Sequence, residues 1–158
     1  MFWFKPKSKI EEAVKDILSA KLHHALKFYT KENERSHHPL QLSESQLLEI
    51  GGGMVLFFFG SYFPDTEKKN IEIMSRAYRE AEKILPGMKI QPTRVYEWWK
   101  MFTDVLIFNE KEDRLKAATR LVWEKLITDM PYREASPLKT FGYYLQMEVD
   151  SHAKKNIG

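Results

Sequence analysis

The stretch from Leu47 to Phe59 limits what this chain can fold into more than any other. Leu47, Leu48 and Ile50 lead into Gly51-Gly52-Gly53, and the run that follows, Met54-Val55-Leu56-Phe57-Phe58-Phe59, is apolar without interruption. A helix carrying that run is apolar on every side, so other elements must enclose it. Ser43 and Gln46 have the spacing of a capping box, which starts a helix there. The interior glycines would cost such a helix on the order of 3 kcal/mol relative to alanine. Either the helix continues because its neighbours pack closely on the glycines, or the triplet is a bend between two shorter helices. A short buried strand over 54–59 also satisfies the pattern, because periodicity alone does not separate the two.

The remaining chain supplies helices to do the enclosing. A first helix is expected from about Ser8 to Arg35, capped by Ser8 with Glu11 in the reciprocal position. Its stripe is Ile10, Val14, Ile17, Leu18, Ala25 and Tyr29, and Ser36-His37-His38-Pro39 breaks it. A helix from about Thr66 to Leu85 has Ile71, Met74, Tyr78, Ala81 and Leu85 on its buried side, with Lys69, Arg76 and Glu80 facing away. Pro86-Gly87 stops it. Thr93 is expected to cap the next helix, whose stripe of Val95, Trp98, Trp99, Phe102 and Leu106 is heavily aromatic. Met101, Ile107 and Phe108 lie off that stripe, so this helix is either central or meets a partner.

Two further helices follow. The first, about Glu110 to Met130, buries Leu115, Ala118, Val122 and Leu126. The last opens at Ser136-Pro137, an N-cap followed by proline at the first helical position, and buries Leu138, Phe141, Leu145 and Val149. The chain reads as all-α: one compact domain over residues 1–158 with about six helices, orthogonal or bundle-like. An aromatic and basic segment at 1–7 precedes it, and residues 151–158 are expected to fray.

Composition removes several functions. The chain has no cysteine, which excludes disulfides, thiolate metal sites and cysteine nucleophiles together. Its formal charge of +3 is spread evenly, with 12 basic against 10 acidic residues in 1–79 and 13 against 12 in 80–158. A nucleic-acid partner calls for basic residues gathered on one face, so that class is disfavoured. No secretory leader is apparent, and the apolar run is too short to span a bilayer, which makes the cytoplasm the expected location.

Catalytic signatures are missing too. Gly60-Ser61-Tyr62 lacks the flanking glycines of a nucleophile elbow, and the glycine triplet is followed by Met54 and Val55 instead of phosphate-binding residues. Asp104 falls opposite the aromatic stripe and should face solvent. No cofactor is implied. Histidines offer one metal reading: Glu34 and His37 have Glu-x-x-His spacing, and His38 and His152 would have to be brought to them by the fold.

What remains is surface binding. By elimination the reading is a non-enzymatic helical module, an adaptor, regulator or inhibitor of another protein. It would bind by burying an aromatic helix face around Trp98, Trp99, Met101 and Phe108. Trp123, Tyr143 and Tyr144 are further aromatic anchors of the same kind. One alternative is a small-molecule or metal-binding helical protein with an aromatic-lined pocket. Another is a peripheral membrane protein that touches the bilayer surface through Phe2, Trp3, Phe4 and Lys5.

Overall fold

The glycine triplet lies inside one unbroken helix. The computed structural model describes residues 9–63, 68–108, 113–127 and 129–156, and within these the side chains of 10–63, 71–105, 113–127 and 129–154. In chain order the elements are α1 (Lys9–Asp16), a π-helical turn (Ile17–Lys21), α2 (Leu22–Glu34), α3 (Glu44–Phe59), α4 (Lys68–Ile84), a 3-10 turn (Leu85–Met88), α5 (Pro92–Phe108), α6 (Arg114–Leu126), a second 3-10 turn (Tyr132–Glu134) and α7 (Ser136–Asn156). The π turn joins α1 to α2, so six helices result, with no strand among the described residues.

α3 is the axis of the fold, and every residue from Ile50 to Phe59 is buried. The Ser43 hydroxyl accepts from the Gln46 amide at 3.1 Å while Gln46 Oε1 accepts from the Ser43 amide at 3.0 Å, which completes the capping box. Successive helical residues point about 100° apart, so the glycines open three sides of α3 at once. A Cβ on Gly51 would strike Leu22 and come within 2.8 Å of the Phe141 ring. One on Gly52 would lie 2.9 Å from Val95, and one on Gly53 would lie 2.7 Å from Trp98 Cβ and 3.1 Å from the Trp99 amide nitrogen. The triplet therefore does not end or divide the helix, and residues 54–59 are helix and not strand. It lets α2, α5 and α7 approach α3 closely, and their packing offsets the low helix propensity of glycine.

The far end of α3 is finished by α6. Arg114 Nη1 donates to the Phe57 carbonyl at 2.6 Å, and its guanidinium lies 4.8 Å from the Phe57 ring centre. A cation at a helix C-terminus meets the carbonyls left without intrahelical donors. Gly60 makes room for it, since a Cβ there would sit 2.8 Å from that nitrogen.

The π turn answers a sequence problem. Ile10, Val14, Leu18 and Leu22 are spaced four apart, and in a straight α-helix such a row drifts by about 40° per step. The wider i→i+5 turn takes up that drift, and all four side chains stay buried.

Several boundaries and faces differ from expectation. Ser8 lies outside the described residues. α5 begins at Pro92, with Val95 donating back to the Gln91 carbonyl, so Thr93 is inside the helix and proline takes its first position. Ser136 is likewise the first residue of α7, because Lys139 donates to the Ala135 carbonyl; the Ser136 hydroxyl instead donates to Glu32 Oε1 at 2.8 Å. Asp113 caps α6 by accepting from the Leu115 amide. Glu80 is buried on the inner side of α4, 3.6 Å from Lys83 Nζ, and Ile71 stands in solvent. Leu126 is exposed at the end of α6. α7 stays helical through Asn156 with Ala153 buried.

Candidate functional site

α4 and α5 meet in an aromatic cluster. Tyr78 stacks on Trp99 with ring centres 6.0 Å apart and planes 22° apart, and Tyr96 stands edge-on to both, at 5.4 Å from Tyr78 and 6.0 Å from Trp99. The cluster follows from helical spacing, since Tyr96 and Trp99 are three apart and share a face of α5. Tyr78 comes from α4, with its hydroxyl 3.5 Å from the Pro92 carbonyl. Burial, then the Glu82 carboxylate and Tyr96, raise the Tyr78 pKa, so it stays neutral.

This cluster is not sealed. Ile71 is 52% exposed and Tyr96 45%, while Tyr78 and Trp99 are half-buried. A surface cavity of about 260 Å³ opens there, lined by Ile71, Met74, Ser75 and Trp99. Arg94 on α5 lies 3.4 Å from Glu97 and 3.8 Å from Glu49. Exposed pairs of this kind contribute little to stability, about 0–1 kcal/mol.

Trp98 sits on the other flank of α5, its ring 5.7 Å from Phe102. Trp98, Trp99 and Met101 are all partly buried against the core. The side chain of Phe108 lies outside the described residues, as do Phe2, Trp3, Phe4 and Lys5. Asp104 faces solvent as expected. Trp123 is committed internally: its Nε1 donates to the Met130 carbonyl at 2.7 Å, and its ring meets Tyr132 at 5.9 Å.

The structure does not bring the histidine candidates together. Glu34 ends α2, His37 and His38 are exposed in the following loop, and His152 is near the opposite end of α7. Ser136 of α7 touches Glu32, and His152 is sixteen residues further along, a helical rise of roughly 24 Å. Among the described residues no three His, Asp or Glu side chains are close enough to hold a metal ion.

A second aromatic surface contains Tyr143 and Tyr144, named from sequence as anchors, together with Phe28 and Met147, which were not. Phe28 on α2 and Tyr144 on α7 meet with ring centres 5.1 Å apart, beside exposed Tyr143 and Met147. Both surfaces left a signal. Phe28 and Met147 are large apolar residues off the buried stripes of their helices, and Tyr96 is one turn from Trp99. No family model, curated protein or solved structure matches the chain. No helix among the described residues is long and apolar enough to cross a membrane.

Proposed function

We propose that the protein is a cytoplasmic, non-enzymatic helical module that binds another protein through the α4–α5 aromatic face, acting as an adaptor, regulator or inhibitor. One observation carries this reading: the Tyr78–Trp99–Tyr96 cluster holds its rings beside an open cavity and the exposed Ile71 side chain. Rings already fixed by the fold lose little conformational freedom on binding, which favours them as anchors. An apolar side chain of the partner enters between Ile71 and Trp99, and Tyr96 flanks it. Trp98 and Met101 support α5 from the core side and do not carry the contact.

The test is site-directed photocrosslinking in the native host, with a photoreactive phenylalanine at position 71 and, as control, at position 124. The expected result is a single stoichiometric protein adduct from position 71, lost when Tyr96→Ser and Trp99→Ala are combined. No adduct from position 71, or the same adducts from both positions, overturns the reading.

A further inference from the structure

Between α2 and the start of α3 lies a cavity of about 360 Å³. The loop 35–43 that joins the two helices is pinned at both ends. Asn33 Nδ2 donates to the Leu40 carbonyl at 3.1 Å and Asn33 Oδ1 accepts from the Leu40 amide at 2.7 Å, which ties the loop to α2. The Ser43–Gln46 box ties its other end to α3. Buried Tyr29 and Leu47 line the cavity from the core side, half-buried Leu26 and Leu42 line its flanks, and exposed Glu34 and Glu44 stand toward solvent. Tyr29 is 3% exposed, and its hydroxyl is the one buried side-chain polar atom among the described residues that has no protein partner. Such groups are rare, because each gives up its bonds to water and gains none in return. The neighbouring polar groups are already committed, Asn33 to the loop and Thr30 Oγ1 to the Leu26 carbonyl at 2.9 Å. Burial pushes the Tyr29 pKa up to about 12, so the hydroxyl keeps its proton and has one to donate.

We infer that this cavity binds a neutral, largely apolar small molecule of about naphthalene size, whose single hydrogen-bond acceptor, a ketone or ether oxygen, accepts from the Tyr29 hydroxyl. The apolar body lies on Leu26, Leu42 and Leu47. Small-molecule sites of roughly 300–1,000 Å³ are built in this way, with apolar walls and a few placed polar groups. Charge does not select the occupant: Lys27 and Lys31 line an adjoining cavity together with the same Glu34 and Glu44, so both signs stand at the opening. A neutral body is therefore favoured over an ion. A single acceptor is favoured over a more polar ligand, because further polar groups would meet only leucine inside. This inference is independent of the α4–α5 reading: different helices, different occupant.

The test titrates the full chain with naphthyl methyl ketone and with ethylnaphthalene of matched substitution, two probes of nearly the same shape that differ in the carbonyl oxygen. Binding is followed by nuclear magnetic resonance of the backbone amides. The ketone should bind saturably, shift the amides of Asn33, Leu42 and Leu47, and bind about tenfold more tightly than the hydrocarbon, the worth of one added hydrogen bond. Tyr29→Phe should bring the two probes to within about twofold of each other while leaving the hydrocarbon's affinity unchanged. Ile71→Ser should alter neither. Circular dichroism checks that each variant keeps its helices, and Tyr29→Phe removes only an oxygen from the folded chain. Absence of saturable shifts, equal binding of the two probes to the unsubstituted chain, or a ketone preference that survives Tyr29→Phe overturns the inference. Shifts centred on Ile71 and Trp99 in place of Asn33, Leu42 and Leu47 assign the probes to the α4–α5 cavity and equally overturn it.

Discussion

α3 and α5 lie against each other and solve opposite problems. α3 has apolar side chains all round and glycines where its neighbours come nearest, so every side chain from Ile50 onward is enclosed. α5 has its bulk where α3 has none: Val95 and Trp98 Cβ press against Gly52 and Gly53. Because the backbones meet so closely, the Trp98 and Trp99 rings cannot insert between the helices and are splayed to the flanks. Their partial exposure thus follows from the close approach of the two helices. The lesson is that a glycine-rich buried helix can force aromatic surface onto its neighbour. That surface then faces solvent, ready to be covered by something else.

The contrast can be broken at its interior first. Phe59→Ala removes a side chain with no solvent exposure, and a cost of about 3–5 kcal/mol is expected in urea unfolding. A loss under 1 kcal/mol would mean that the interior of α3 is far more yielding than its packing implies. Gly53→Ala comes next. It gains about 1 kcal/mol in helix propensity, but its new methyl meets the Trp99 amide nitrogen and the Val95 carbonyl, which move only with the whole of α5. Overpacking of about 1–3 kcal/mol should leave it destabilised on balance. Gly87→Ala meets nothing within 4 Å and should leave stability within about 0.5 kcal/mol, so the pair of variants isolates close approach from glycine chemistry.

A polar atom in the interior sharpens the contrast further. Tyr29 is buried edge-on to Phe141, and its hydroxyl has no protein partner. Tyr29→Phe should be neutral or stabilising by up to about 1 kcal/mol, because it removes an unpaired buried hydroxyl. Burial pushes the Tyr29 pKa up to about 12 from 10.0. The unfolded chain then releases this proton first, so the stability tied to it is intact below pH 10 and is lost as pH rises through about 12. Comparing alkaline unfolding of the protein and Tyr29→Phe reads that difference. A small effect also belongs to the outer face: Ile71→Ser should change stability by under about 0.5 kcal/mol in urea unfolding. A large loss of stability there would make Ile71 part of the core and remove the ground for the α4–α5 surface.

Much of the architecture was legible from local rules. The Ser43–Gln46 box, the proline and glycine stops, and the stripe Leu138, Phe141, Leu145, Val149 each depend on residues within a turn or two of one another. Which side chains of α4 and α5 stand in solvent was less legible. Trp98, Trp99 and Met101 came from counting apolar residues on α5, yet the exposed members of that face are Tyr96 and, from another helix, Ile71. Glu80 looked like a solvent residue on a wheel but is turned inward on α4 with Lys83 beside it.

By itself the sequence determined that the chain is helical, where α3 starts, and that residues 54–59 lie inside, because hydrogen-bonding rules and apolar periodicity act over one or two turns. Only the tertiary structure decided that Gly51–Gly53 stays helical, that a π turn realigns the buried row from Ile10 to Leu22, and that Phe28 meets Tyr144 beside two lysines. Each of these depends on the distance between backbones far apart in the chain, and a wheel drawn for one helix holds no information about how near the next one comes.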